Sequence, residues 1–262
     1  MRFRSIAGWL LLAMVLIATA IVTSSGKAIS EQDRNAVLEG ASHRHPAGTD
    51  SLGRDRIVRV SAAFLLSLTG AVAASFISTA AAAGVGLLAA FSTAGVGTLT
   101  MLVCDVFLAL PWLFLLMMVR SMLPLSTSPA DSALITFVVL AALGWPACAR
   151  AVYQGALRLR NSEWMIHARA GGMRIRQIPR QVLPNLLPLL LPQFLICVPA
   201  FVVAEANLGT LGLGVGEPLP SWGGMLLELG NSAILMQTAW VYLPIAVLVM
   251  ALLLLESTAR EA

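Results

Sequence analysis

Residues 62–91 read AAFLLSLTGAVAASFISTAAAAGVGLLAAF, thirty consecutive positions without a charged side chain. A hydrocarbon core about 30 Å thick takes about 20 such residues of helix, so this stretch can cross a bilayer with length to spare. Its Gly, Ala, Ser and Thr content suits a helix that others approach closely in lipid, where small residues let backbones meet. Five further apolar runs lie at 6–22, 98–118, 133–152, 186–204 and 234–255. Pro111 falls inside the third run and is expected to kink it, because proline lacks an N–H and its ring clashes with the preceding turn. Composition agrees with this reading: 11% of the 262 residues are charged and 58% hydrophobic, against about a quarter and slightly under half in soluble domains. Mean hydropathy is +0.84. The chain reads as an all-α integral membrane protein with about six transmembrane helices.

The charges sit between the runs. Lys27 is the only lysine among 17 basic residues. Between the fourth and fifth runs lie Arg158, Arg160, Arg169, Arg174, Arg176 and Arg180, with Glu163 the one acid. The positive-inside tendency makes that loop cytoplasmic. The next connection carries Glu205, Glu217 and Glu228 and no basic residue, which an outer location tolerates. Six crossings then put both termini in the cytoplasm and the polar segment 23–59 outside. Residues 1–22, with Arg2 and Arg4 ahead of the apolar run, share the outline of a signal peptide. The run is long for one and no small-x-small cleavage site follows, so a retained N-terminal helix is expected. Basic residues form no stripe interleaved with aromatics, and nucleic acid is not an expected partner.

Several groups outside the runs invite a chemical reading. Cys104, Cys148 and Cys197 lie in or beside apolar segments without short pairing, as packing residues do. His43 and His45 could meet a metal on one loop, but a solvated loop accounts for them equally, and no metal or cofactor is expected. Within the turn-rich run 48–55, Asp50, Arg54 and Asp55 can form a charge-assisted network that braces the second span; as a plain exposed turn they would contribute at most about 1 kcal/mol. Asp105 costs a few kcal/mol if deep and unpaired, and otherwise reaches the cytoplasmic interface. Glu205 faces the pathway, caps an outer gate or has a structural role. Residues 209–216 alternate glycine with Leu and Val, and Pro218 and Pro220 prevent a regular helix there. Irregular backbone at that depth must line a cavity or sit in protein; without the lysine of a Walker motif it is no phosphate loop. Residues 162–173 are compatible with a short helix on the membrane surface, followed by a basic patch and the turn Leu183, Pro184, Asn185. That helix is a docking element or simply a solvated positive-inside loop.

In that loop, Glu163, Trp164, Ala168, Arg169, Ala170, Gly172 and then Leu183, Pro184, Asn185 resemble the cytoplasmic signature of binding-protein-dependent ABC importer permeases. Three further stretches resemble the dipeptide, oligopeptide and nickel branch: His45 to Asp55 with Gly48, Asp50, Gly53, Arg54 and Asp55; Asp105, Leu108, Ala109, Leu110 and Pro111; and Glu205, Ala206, Leu211, Gly212, Leu213, Gly214, Pro218, Pro220, Ser221, Trp222 and Gly223. All stand in the family's order from about His45 to Trp222. Ile166 and His167 depart from it, where an acid and an alanine are usual. The resemblance implies an ABC type I importer permease fold: an N-terminal helix (1–22), an extracytoplasmic segment (23–59) and a five-helix core (60–262) whose loop 153–185 carries a coupling helix. It also implies an inner-membrane location and a set of partners: a second permease, two cytoplasmic ABC ATPases and an extracytoplasmic substrate-binding protein. Peptide or nickel would be the cargo and ATP hydrolysis would lie with the ATPases. An ATP-independent secondary transporter or channel is the rival, and it predicts inverted repeats and polar mid-membrane groups, which are sparse. An intramembrane enzyme would need Ser/His, paired Asp or a zinc motif within the spans, and none is present.

Overall fold

The computed structural model describes residues 3–25, 29–122, 127–174, 177–230 and 239–261. Arg2, Lys27, Arg176, the first residues of the sixth expected run (234–238) and Ala262 lie outside the described residues. The helices are α1 (Phe3–Ser24), α2 (Arg56–Phe91), α3 (Ala94–Ala109), α4 (Trp112–Ser121), α5 (Pro129–Arg160), α6 (Glu163–Ala170), α7 (Ile178–Thr210), α8 (Trp222–Leu227) and α9 (Leu243–Glu261). Five are long and apolar enough to span a membrane; α3 and α4 make a sixth span if the bent pair is counted as one. The expected all-α membrane fold is thus found.

Expected and observed boundaries differ where polar groups find partners. α2 begins at Arg56 rather than at residue 62, because Asp55 caps it, accepting from the N–H groups of Ile57 and Val58, and because Arg56 and Arg59, though buried, reach carboxylates. The break at Pro111 is an 83° bend between α3 and α4. Leu110 and Pro111 are both extended, so no helical turn bridges it. Leu183, Pro184 and Asn185 do not form a turn. They lie inside α7, which also carries Pro188, Pro192 and Pro199. Each proline deletes one hydrogen bond, a loss that membrane helices absorb where water or neighbours take the freed carbonyl; Pro184 and Arg180 are exposed. The last span begins at Leu243 after a 3-10 turn, Ala239–Tyr242, later than expected.

At 1.5 Å per residue, α2, α5 and α7 measure about 54, 48 and 50 Å, so each outruns a core of about 30 Å. α2 occupies the centre and packs on α5, α7 and α1. Its buried side includes Ala63, Ser67, Ala71, Ala74, Ser78, Ala82 and Gly86, small residues at helical spacing that bring backbones together. A Cβ at Gly86 would sit 2.8 Å from the Ala149 carbonyl oxygen. Two apolar clusters result. One, toward the 29–55 side, holds Phe64, Leu140, Phe201, Leu208 and Trp222; the other, toward α6, holds Leu87, Val152, Met165, Val182 and Leu186.

Candidate functional site

At one end of the molecule α6 follows and packs on α5, and its Arg169 reaches Phe91 at the end of α2. Glu163 in its first turn and Arg169 in its last suit the helix dipole. The helix closes in a left-handed turn: Gly172 has φ +86°, its N–H donates to the Arg169 carbonyl at 3.0 Å, and the Met173 N–H donates to Ala168 at 3.1 Å. Glycine is the residue that adopts this conformation without strain. Met165 is fully buried among Leu87, Ala90, Val152, Ile178 and Val182 and pins the helix. Trp164 (40% exposed) and Ile166 (56% exposed) project outward, as do Glu163, His167 and Ala170. Ile166 and His167, the two departures from the family pattern, therefore sit on the outward surface. Leu183 and Pro184 lie exposed in the early turns of α7. The Arg169 guanidinium lies 5.4 Å from the centre of the Phe91 ring, and Arg160 donates to the Ala90 carbonyl at 2.6 Å and to that of Ser92 at 3.5 Å.

At the other end the 29–55 segment is folded onto α2. Gly48 (φ +70°) and Gly53 (φ +73°) make its turns, and a Cβ at either would overlap a backbone carbonyl, of Glu39 or Asp33. Asp50 accepts from the N–H groups of Leu52 and Arg54 and from the Arg54 Nε at 2.6 Å. Arg54 also grips Glu217, 2.6 Å away. Arg59 donates to Glu217 at 2.9 Å and to the Pro218 carbonyl at 3.4 Å. Arg56 reaches Glu228 at 2.8 Å and the Thr49 carbonyl at 3.0 Å. Burial alone would lower the Arg54 pKa, but hydrogen bonds to Glu217 and Asp50 outweigh it and hold the guanidinium above its ordinary value. The expected network of Asp50, Arg54 and Asp55 is therefore divided: Asp50 and Arg54 pair, while Asp55 caps α2 and accepts from the His45 Nδ1 at 3.0 Å. Among the described residues no three His, Cys, Asp or Glu could hold a metal.

The loop after α7 is set by glycines. Gly212 (φ +73°) ends the helix. Gly209, Gly214 and Gly223 touch backbone to backbone, so that a Cβ at Gly209 would sit 2.6 Å from the Gly223 Cα and one at Gly214 2.5 Å from the Gly209 Cα. Arg120 donates to the carbonyls of Leu213 at 2.7 Å and Gly214 at 3.1 Å and to the Ser132 hydroxyl. Trp222 is buried in the core. Glu205 is fully buried and accepts from the Ser67 hydroxyl at 2.8 Å, which places it between α7 and α2. Asp105 pairs with Arg150 of α5, both about half exposed.

Arg120 and Phe91 were not singled out by sequence, and Arg160, Glu217 and Glu228 were read only as charges that set orientation. One signal was available for the two acids: a connection holding three glutamates and no base, expected on the same side as Arg54, Arg56 and Arg59.

The profile of the family described as binding-protein-dependent transport system inner membrane component matches residues 82–258. A Brucella suis protein carrying a peptide-permease name is 31% identical over 84% of this chain and 72% of its own length. The oligopeptide transport system permease protein OppC of Escherichia coli K12 is 36% identical over 72% of this chain, and that of Salmonella typhimurium 37% over the same share; the match covers 61% of each. The chain belongs to the binding-protein-dependent transport system inner membrane component family and is a multi-pass membrane protein.

Proposed function

We propose that this member of the permease family is the translocation subunit of an ATP-driven importer of di- or oligopeptides. The observation that carries this reading is α6: a short helix, rigidly seated through Met165, that offers Trp164 and Ile166 to a partner beyond the apolar spans. Two ABC ATPases dock on α6 and on the same helix of a second permease. Glu163, Ala168, Arg169, Ala170, Gly172, Leu183 and Pro184 form the coupling surface, which faces the cytoplasm with both termini. An extracytoplasmic binding protein delivers cargo to the opposite side, where residues 29–55 and 211–230 are braced together. ATP binding closes the ATPases, draws the coupling helices together and tilts the spans; hydrolysis resets them. ATP chemistry belongs to the ATPases. The peptide cargo rests on the names of the relatives, and the rest of the partner set on the family.

The test is affinity purification of the tagged chain from membranes in mild detergent, followed by peptide uptake in vesicles rebuilt from what copurifies. Recovery of a second permease and ATPases, with ATP-dependent peptide uptake, is the expected result. The folded chain alone, transporting without ATP, would overturn it.

A further inference from the structure

Both ends of α2 are gripped, and by different parts of the machine. At its α6 end, the last carbonyls of a helix have no partner within the helix; Arg160, two residues before Ser162 at the start of α6, donates to two carbonyls there, those of Ala90 and Ser92. The final residue of α2, Phe91, lies under the Arg169 guanidinium of α6. Met165 of α6 is buried in the same apolar cluster as Leu87 and Ala90 of α2. At the opposite end, Arg54 and Arg59 hold Glu217, and Arg59 also holds the Pro218 carbonyl, so the 211–220 loop is tied to the start of the same helix.

What lies between favours a stiff connection. α5 contains Pro146 and α7 contains four internal prolines, each removing one bond from the ladder and permitting a kink. α2 runs 36 residues with no proline, held laterally by the close contacts of Gly70 with Phe137 and Gly86 with Val152.

We infer that α2 is the rod that carries movement of the α6 coupling helix to the outer loop at Glu217 and Pro218, with Phe91 and Arg160 as positioning residues that clamp its inner end. This rests on the coupling reading of α6. Neither residue touches cargo or ATP; they act by making α2 follow α6. Loosening the clamp lets α6 move with the ATPases while α2 stays behind, so that ATP is consumed without an opening at the far end.

The experiment uses the complete complex of this chain with its partner permease, ATPases and binding protein, reconstituted in vesicles, and reads ATP hydrolysed per peptide imported. Phe91→Ala and Arg160→Gln are expected to raise that ratio by about five-fold or more, the lower end of typical coupling free energies, with ATPase content and hydrolysis near the unmodified level. Phe91→Tyr, which keeps a ring for Arg169, is expected to restore the ratio. An unchanged ratio in Phe91→Ala and Arg160→Gln complexes of normal composition would overturn the rod while leaving the importer intact. A fall in yield with an unchanged ratio would reduce both residues to stabilisers and also overturn it. Failure of the unmodified complex to couple ATP to uptake would instead overturn the function on which the rod depends.

Discussion

Replacing Arg54 by alanine tests whether the network at the start of α2 is a buried structural device or a set of surface ion pairs. Arg54 and Asp50 are 5% and 3% exposed, and removing one member of a buried pair costs about 3–5 kcal/mol because the other charge is stranded. Asp50 would keep two backbone N–H donors and an Arg59 nitrogen at 3.5 Å, which moves the expectation to about 3 kcal/mol. Glu217 contacts the same guanidinium, but its side chain is 54% exposed. Water screens it, and Glu217→Gln, which keeps an acceptor oxygen, should cost about 1 kcal/mol or less. For a chain of this size each kcal/mol moves Tm by about 2–4 °C. Arg54→Ala should therefore melt about 6–12 °C lower and Glu217→Gln about 2–4 °C lower or less. The assay is thermal loss of the monodisperse peak of a fluorescent fusion in detergent, at low salt and at about 0.5 M, where surface charges are screened. The smaller loss should shrink further in salt and the larger should persist. Equal losses, or an Arg54→Ala loss that salt abolishes, would refute the assignment of burial as the source of the difference.

Gly172→Val should uncouple hydrolysis from uptake while the protein remains inserted, because φ +86° is strained for a β-branched residue; the ATP-to-peptide ratio in vesicles checks this, and normal coupling would count against the docking helix. Arg169→Glu, which replaces the cation over Phe91 with an anion, should do the same. Gly209→Ala should sharply reduce folded yield, since its Cβ would meet the Gly223 backbone, whereas Gly216→Ala, with nothing within 4 Å, should be neutral; size-exclusion profiles distinguish them. Arg120→Lys should lower Tm by several degrees, because one ammonium cannot reproduce the fork that holds Leu213, Gly214 and Ser132.

The apolar runs were legible because lipid demands them: each is largely helix among the described residues, and the break at Pro111 fell where expected. The start of α2 was not legible. A local reading treats Arg56 and Arg59 as charges that belong outside, whereas their carboxylate partners, Glu228 for Arg56 and Glu217 for Arg59, lie more than 150 positions away in sequence. Pro184 misled for the opposite reason. A proline-asparagine pair ordinarily marks a turn, yet α7 continues through it because the surrounding helix is held by packing of Val182, Leu186 and Leu190. Residues 209–216 were read as irregular backbone, whereas α7 runs on to Thr210; that Gly209 of α7, Gly214 of the loop and Gly223 of α8 meet is a tertiary fact.

The preference for arginine over lysine has a structural reason beyond orientation. Arg54, Arg56, Arg59, Arg120 and Arg160 each reach two or more acceptors, and those of Arg54, Arg56 and Arg120 lie on different segments. These include carbonyls that a bent or ending helix leaves without a partner. A planar guanidinium spans two acceptors at fixed angles, while an ammonium on a flexible stem behaves as a point charge. Where such a group is buried, a freed carbonyl left unpaired costs more than it would in solvent. Arginine can therefore act as a joint between segments at the ends of the spans. Arg54 and Arg59 join the 211–220 loop to the start of α2, Arg120 joins the glycine turn to α4 and α5, and Arg160 joins α5 to the end of α2. In the importer cycle proposed above, where the spans tilt, such joints would keep the ends of the spans together while the proline-bearing helices bend.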